Sequence, residues 1–163
     1  MNALMENIKS LREMTGAGFL DCKKALEENN NDIELSVDFL RKKGLAKANK
    51  KASRAANEGA VGIFQNEALS MIMQINTETD FAAKNEVFLD FMEEIAQLAL
   101  ECNNDKMTID EFSNMSLNDQ LIIEKFKNII AKIGENIILN KLIFIKNDLN
   151  SLISQYIHNS YRK

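Results

Sequence analysis

Apolar residues recur at spacings of three and four across the first 45 residues, which is typical of helices that bury one face. The residues in this pattern are Ile8, Leu11, Met14, Ala25, Leu26, Ile33, Val37 and Leu40. Glycines within 15–18 permit a sharp reversal after the first helix, and the asparagines at 29–31 end the second. Asp32 is placed to cap the third helix, and Gly44 is expected to end it. We therefore predict a three-helix domain over residues 1–45.

The charged residues between positions 41 and 54 are all basic. They are Arg41, Lys42, Lys43, Lys47, Lys50, Lys51 and Arg54. Charge runs are nonspecific signals, so two interpretations stay open: a solvated, partly helical linker, or an electrostatic contact to an acidic protein or RNA. We predict a basic linker over residues 46–59.

The pattern changes after Gly59. Two short apolar runs, 60–64 and 68–75, flank the polar residues 65–67 and predict a β-hairpin. A stripe at helical spacing between Asn85 and Asn103 then predicts a long amphipathic helix. Its apolar residues are Phe88, Phe91, Met92, Ile95, Leu98, Ala99 and Cys102.

A second helix is predicted over about 117–133, and two strands over 137–145 and 149–157 around an Asn147-Asp148 turn. The residues expected to face inward on this helix are Leu121, Ile122, Phe126, Ile129, Ile130 and Ile133. Residues 60–163 are thus predicted to form a layered α+β domain of β-β-α-α-β-β order.

Composition narrows the functional classes. Of the 163 residues, 45% are hydrophobic and 27% charged, and no apolar run approaches the ~18 residues of a membrane span. The N-terminus lacks the pattern of a signal peptide, so we expect a cytoplasmic protein without membrane contact. Residues 1–55 carry 11 basic and 8 acidic side chains and the remainder 9 and 16, which gives +3 and −7 and suggests separate surfaces.

Candidate chemistry is sparse. Two distant cysteines and a single histidine cannot complete a zinc site, so we expect no metal and no cofactor. The sequence 16–18, Gly-Ala-Gly, is not followed by the Lys-Ser or Lys-Thr pair of a phosphate loop. No nucleophile with a neighbouring base is evident. We therefore expect a binding protein rather than an enzyme.

Four stretches carry a resemblance to a known family. Residues 11–26, LREMTGAGFLDCKKAL, resemble the signature LRExTGAGxxDCKKAL of elongation factor Ts, and 76–85, NTETDFAAKN, resemble its second signature, NxxTDFVAKN. Residues 132–137, KIGENI, match a third, and 156–158, Tyr-Ile-His, are similar to a fourth. The likeness follows the family order over nearly the whole chain.

The resemblance implies a ubiquitin-associated-like three-helix domain, a linker and the N-terminal half of the family's core. It also implies a guanine nucleotide exchange factor that binds elongation factor Tu with GDP and promotes GDP release by disturbing the magnesium and phosphate site. Other members continue after Tyr-Ile-His with a further strand and a second half-core. The chain thus resembles a C-terminally shortened member, in which an open sheet edge is expected to cause self-association or fraying from about Leu149.

The same resemblance assigns magnesium dislocation to Thr79, Asp80, Phe81 and Ala82, where valine is usual at position 82. In this assignment Phe81 is the wedge that disturbs magnesium coordination. The alternative is local: Asp80 would cap the amides of residues 81–83, and the segment would pack in the core.

The resemblance further implies that Phe19, Leu20, Ile133 and His158 dock on the GTPase. Core packing is the alternative for the first three, and a polar strand end is the alternative for His158. Asp21 is expected to cap or pair locally.

A rival reading is a ubiquitin-associated-like adaptor or RNA-binding module. It would use the three helices or the basic run, and it would explain residues 1–55 alone.

Overall fold

The computed structural model describes residues 3–148, 150 and 152–158, which form a mixed α+β structure. The helices are α1 (Ala3–Thr15), α2 (Phe19–Glu28), α3 (Ile33–Lys51), α4 (Asp80–Ala83), α5 (Glu86–Glu101), α6 (Ile109–Ser113) and α7 (Ile122–Ile133). The strands are β1 (Glu58–Gln65), β2 (Leu69–Thr77), β3 (Ser116–Leu117), β4 (Gln120–Leu121) and β5 (Ile137–Lys146).

Helices α1 to α3 enclose a small apolar core of their own, as their periodicity predicts. Its buried members are Ile8, Leu11, Cys22, Ala25, Leu26 and Leu40. The Asp32 side chain caps α3 by accepting a hydrogen bond of 2.9 Å from the amide of Leu35. The buried Ser36 hydroxyl donates to the Ala25 carbonyl at 3.1 Å and so ties α3 to α2. The three predicted helices and the Asp32 cap are confirmed.

The prediction that Gly44 ends the third helix is wrong, because α3 continues to Lys51. Gly44 faces α7, where an added Cβ would lie 2.9 Å from the Cβ of Ala131. The missing side chain therefore permits close packing of two helices and does not end one. Residues 46–51 of the predicted linker are helical, while the division at 45 and 59 stays a prediction.

The main sheet has the order β1-β2-β5 and is antiparallel throughout. Ile63, Ile72 and Ile143 are partners across the three strands. The opposite face packs on α5 and α7 around a second, larger apolar core. Its largest fully buried members include Leu69, Met71, Met73, Ile75, Phe88, Ile95, Phe112 and Ile122. The predicted hairpin and the predicted long helix, capped by Asn85, are confirmed.

The helix predicted from about 117 begins only at Ile122. Residues 116–121 form the small β3–β4 hairpin, whose turn residues Asn118 and Asp119 have φ values of 53° and 60°. Two successive left-handed residues suit a two-residue hairpin turn and interrupt a helix. Leu121 is consequently exposed and not inward, whereas Ile122 is buried. The predicted β-β-α-α-β-β order is therefore wrong: α4, α6, β3 and β4 interrupt it.

The last strand is predicted over 149–157, and its described residues 152–157 do not form one. Residues 152–157 belong to no helix or strand, and Leu152 and Tyr156 are exposed, so no sheet neighbour buries their apolar surface. Leu149, where fraying was expected to begin, lies outside the described residues. Within the described part, β5 rather than a later strand forms this edge of the sheet. Self-association through an edge stays a prediction.

Candidate protein-docking site

A short helix presents Phe81 to solvent. The hydroxyl of Thr79 caps α4 by accepting a hydrogen bond of 3.3 Å from the amide of Ala82. Ala82 and Ala83 are buried beneath the helix, whereas Phe81 is 82% exposed. The core-packing alternative for Phe81 is therefore wrong. The helix carries a large aromatic side chain that the chain itself does not bury.

The N-cap of α4 is Thr79 and not Asp80, the residue that the alternative predicted. Asp80 is the first residue of α4, and its carboxylate accepts a hydrogen bond of 2.6 Å from the ammonium of Lys84. This contact holds the pKa of Asp80 below its ordinary value, and a hydrogen bond from the amide of Phe81 also helps to hold the pKa of this carboxyl low. The cap belongs to Thr79, because the residue before the helix, with extended backbone, can turn its side chain towards the free amides. An ionised carboxylate thus lies next to Phe81 in solvent.

Two glutamates join the Phe81 segment to the turn after α7. Glu135 accepts hydrogen bonds from the amide of Thr79 at 2.9 Å and from the hydroxyl of Thr79 at 2.7 Å. In return, Glu78 accepts a hydrogen bond of 2.7 Å from the amide of Asn136. Residues of the 76–85 and 132–137 stretches therefore meet in space. Sequence reasoning missed both glutamates as supports, although Glu78 lies inside the stretch 76–85 and Glu135 inside 132–137.

The end of α3 is fastened to the same place. Asn136 is 2% exposed, and its side-chain amide donates to the carbonyls of Arg54 at 2.7 Å and Ala52 at 3.4 Å. The ammonium of Lys51 donates to the carbonyl of Gly134, which ends α7 in the left-handed conformation. The N-terminal helices are thus linked to the support of the Phe81 segment through residues 51–54.

Helix α2 begins with two further exposed apolar residues. Phe19 is 39% exposed and Leu20 is 78% exposed, while Cys22 is buried one turn further on. Core packing therefore does not account for Leu20. Asp21 accepts hydrogen bonds of 2.9 Å from Lys43 and from Lys47, which lower the pKa of its carboxyl. The expected local pairing of Asp21 is confirmed.

Ile133 and His158 differ in setting. Ile133 is the last residue of α7 and is half-buried against the larger core. His158 is exposed, and its ring Nδ1 lies 2.9 Å from the hydroxyl of Tyr156. His158 thus lies in the segment after β5, and its hydrogen-bond partner Tyr156 lies in the same segment.

Most of the basic run has partners within the chain. Besides the two lysines on Asp21, the contacts are Arg41 with Asp38, Lys51 with Gly134 and Arg54 with Glu78. The Arg41–Asp38 pair lies within α3, whereas the other contacts join helices or segments of the fold. The internal use of these charges favours a structural role for the run over a contact to RNA.

Two further classes of site receive no support from the geometry. In the part of the chain that the structure describes, no three His, Cys, Asp or Glu side chains are grouped so that they could hold a metal ion. The helices of that part also include none with the length and apolarity needed to cross a membrane.

The fold and the site define an α+β protein whose candidate site consists of exposed apolar side chains in the first turns of two helices, Phe81 in α4 and Phe19 and Leu20 in α2. The family model described as elongation factor TS matches residues 78–163. The chain belongs to the elongation factor Ts family.

Curated relatives extend the likeness over the N-terminal helices. Elongation factor Ts of Campylobacter fetus is 42% identical over 157 residues, which are 95% of this chain and 44% of the relative. The proteins of the same name from Brucella anthropi and Bartonella tribocorum are 41% and 38% identical over 93% and 98% of this chain, and 48% and 52% of theirs. The chain therefore spans about half the length of these relatives.

Proposed function

We propose that the chain is a guanine nucleotide exchange factor that binds elongation factor Tu in its GDP form and promotes release of GDP. The observation that carries this proposal is Phe81, 82% exposed on a short helix whose cap is fixed by Glu135. A large apolar side chain held in solvent at a defined orientation is suited to insertion into a partner. Because the chain belongs to a family of translation factors, we propose that it works in the cytoplasm.

The proposed mechanism needs no group that makes or breaks bonds. GDP on a GTPase is held by phosphate-loop amides and by a magnesium ion that contacts the phosphates. A protein can bind the distorted or empty GTPase more tightly than the GDP form. It then lowers the affinity of the GTPase for GDP by the factor that separates its own two affinities. A thousandfold weakening requires ~4 kcal/mol of coupling free energy.

Thr79, Asp80, Phe81 and Ala82 form the proposed element that dislocates magnesium. Phe81 is the wedge, and buried Ala82 anchors the helix beneath it. The ionised Asp80 can offer a carboxylate oxygen, the type of ligand that magnesium prefers. Its contact with Lys84 lies in solvent, where ion pairs are weak and exchange partners readily.

Phe19, Leu20, Ile133 and His158 are the proposed docking residues. The exposed pair at the start of α2 supplies an apolar anchor on the three-helix part of the chain. Ile133 lies one residue before the Gly134 turn and two before Glu135, next to the support of the Phe81 segment. The docking surface on α2 and the Phe81 wedge would thus be connected through the hydrogen bonds that residues 51–54 make with Gly134 and Asn136.

Release of a fluorescent GDP analogue from preloaded elongation factor Tu tests the proposal. Rates are recorded by stopped flow in excess unlabelled GDP, over a concentration series of the chain and at two salt concentrations. We expect a rate that rises with chain concentration to a plateau. A rate equal to spontaneous release at every concentration, with steeply salt-dependent binding to RNA, would contradict the proposal and favour the adaptor or RNA-binding class.

A further inference from the structure

We propose that Glu135 is the positioning residue that sets the orientation of the Phe81 wedge, through Thr79. This inference rests on the proposed exchange function for its effect on GDP release. Its structural content, that Glu135 orders the start of α4, is independent of any partner.

The first step is that every backbone polar group of Thr79 is held. Its amide donates to Glu135 at 2.9 Å, and its carbonyl accepts from the hydroxyl of Thr77 at 2.7 Å and from the amide of Ala83 at 3.3 Å. Thr77 is fully buried at the end of β2. The N-cap residue of α4 is thus fixed to the sheet on one side and to the turn after α7 on the other.

The second step concerns the Thr79 hydroxyl, which has one proton and two lone pairs. The hydroxyl donates its hydrogen bond to Glu135 at 2.7 Å, so a lone pair is left to accept from the amide of Ala82 at 3.3 Å. Without an acceptor at this position, the hydroxyl could donate to a backbone carbonyl or to water instead, and the capping orientation would compete with other rotamers of Thr79. Glu135 therefore fixes the direction in which Thr79 caps.

The third step concerns the backbone that directs Glu135 towards Thr79. Gly134 ends α7 with a φ of +92°, and its amide donates to the carbonyl of Ile130 at 2.9 Å. This left-handed end turns the chain so that the next residue faces Thr79. The amide of Asn136 is in turn held by Glu78, directly before Thr79. The two carboxylates thus brace two segments against each other, and hydrogen bonds to charged groups are among the stronger ones.

The consequence is an effect on the working orientation of Phe81 rather than on docking. Phe81 is two residues from Thr79 and makes little contact of its own, being 82% exposed. Its direction is therefore set by the short helix that carries it. When the cap is loosened, Phe81 adopts additional orientations that do not fit the strained complex. This lowers the maximal rate of GDP release more than it lowers the affinity of the chain for the GTPase.

The first test measures GDP release by Glu135→Gln over a full concentration series. We expect the plateau rate to fall about tenfold or more, as is typical for loss of a bond to a charged group, while the half-saturating concentration changes less than about twofold. Thr79→Val should reproduce the loss, Thr79→Ser should restore most of the rate, and Thr79→Val with Glu135→Gln should be no worse than the stronger single change. The matched control is Glu67→Gln, an exposed glutamate in the β1–β2 turn at the far end of β2.

The second test needs no partner. Amide exchange followed by NMR should be at least about tenfold faster at Thr79 and Ala82 in Glu135→Gln, with the β1–β2 amides unchanged. Because the chain has no tryptophan, Phe81→Trp adds a single probe whose time-resolved anisotropy should show a larger local amplitude when Glu135 is replaced.

The outcomes separate the claims. A plateau rate equal to the unmodified chain, or unchanged exchange at Thr79 and Ala82, would overturn the positioning role. Equal acceleration of exchange across the whole sheet would overturn it too, because Glu135 would then support the fold in general. If the unmodified chain fails to release GDP, the exchange function fails, while the amide and tryptophan measurements still decide the role of Glu135.

Discussion

Truncation of Phe81 to alanine should affect the complex with the GTPase and leave the stability of the folded chain unchanged. Phe81 is 82% exposed, so the chain loses little packing when the ring is removed. Exposed substitutions of this kind usually change the free energy of unfolding by no more than ±0.5 kcal/mol. The helix itself should persist, because Thr79 caps it and alanine is a good helix former. We therefore expect unaltered thermal unfolding.

The magnitude in the complex follows from the same exposure. A phenylalanine side chain buries ~150–250 Å² when it is covered, and apolar burial contributes ~25 cal/mol per Å². Covering the 82% that is now in water would contribute roughly 3 to 5 kcal/mol at most. Suppose that about 1.4 kcal/mol of this contribution stabilises the strained complex but not the initial docked complex. Phe81→Ala then lowers the maximal rate of GDP release tenfold.

The assay is stopped-flow release of labelled GDP, with the plateau rate and half-saturating concentration fitted separately. Leu35→Ala is the matched control, since Leu35 is 56% exposed on α3 and has no assigned role. We expect a plateau at least tenfold lower for Phe81→Ala and an unchanged plateau for Leu35→Ala. Equal plateaus for Phe81→Ala and the unmodified chain at saturation would refute the wedge.

Three further expectations follow from the geometry. Replacing both Phe19 and Leu20 by alanine should raise the half-saturating concentration about 30-fold, for ~2 kcal/mol of lost anchoring, and leave the plateau and the circular dichroism unchanged; a folded variant that docks normally would contradict this. Gly59→Ala should lower the free energy of unfolding by more than about 1 kcal/mol in urea, because Gly59 has a φ of +148° and the new Cβ would lie 2.3 Å from the carbonyl oxygen of Ile75; unchanged unfolding would refute the register there. Asp21→Asn should lower the free energy of unfolding by about 0.2–1 kcal/mol for each of the two partly exposed lysine contacts. Because these contacts lower the pKa of Asp21, the loss should be complete above pH ~4 and should disappear as the pH falls through the lowered pKa. A loss that does not depend on pH would contradict this expectation.

Where a segment's own pattern decides its structure, sequence reasoning succeeded. The stripe of α5 has helical spacing, and Asn85 accepts a hydrogen bond from the amide of Val87 at its start. Asp32 caps α3 in the same local way. Such elements carry both their period and their boundary within a few neighbouring residues.

Sequence reasoning failed where distant packing decides. Gly44 has the local signature of a helix end, but its contact with Ala131 of α7 favours a glycine inside a helix. In the β3–β4 hairpin, Asn118 and Asp119 form the turn within a run whose apolar spacing also fits a helix. The segment 152–157 is rich in apolar residues, but it pairs with no strand of the described structure, although β5 is the edge strand.

The candidate site combines both situations. The quoted stretches identified which segments matter, because Thr79 and Phe81 lie in one and Glu135 in another. That Glu135 contacts Thr79, 56 positions earlier, depends on the left-handed end of α7 at Gly134 and on the path of β5 beside β2. An exposed aromatic ring gains nothing from its own fold, so its orientation must come from bonds made by its neighbours. Substitutions that remove the polar contacts around Thr79 should therefore separate fold from function. They should leave both apolar cores intact and still misdirect Phe81, which packs in neither core.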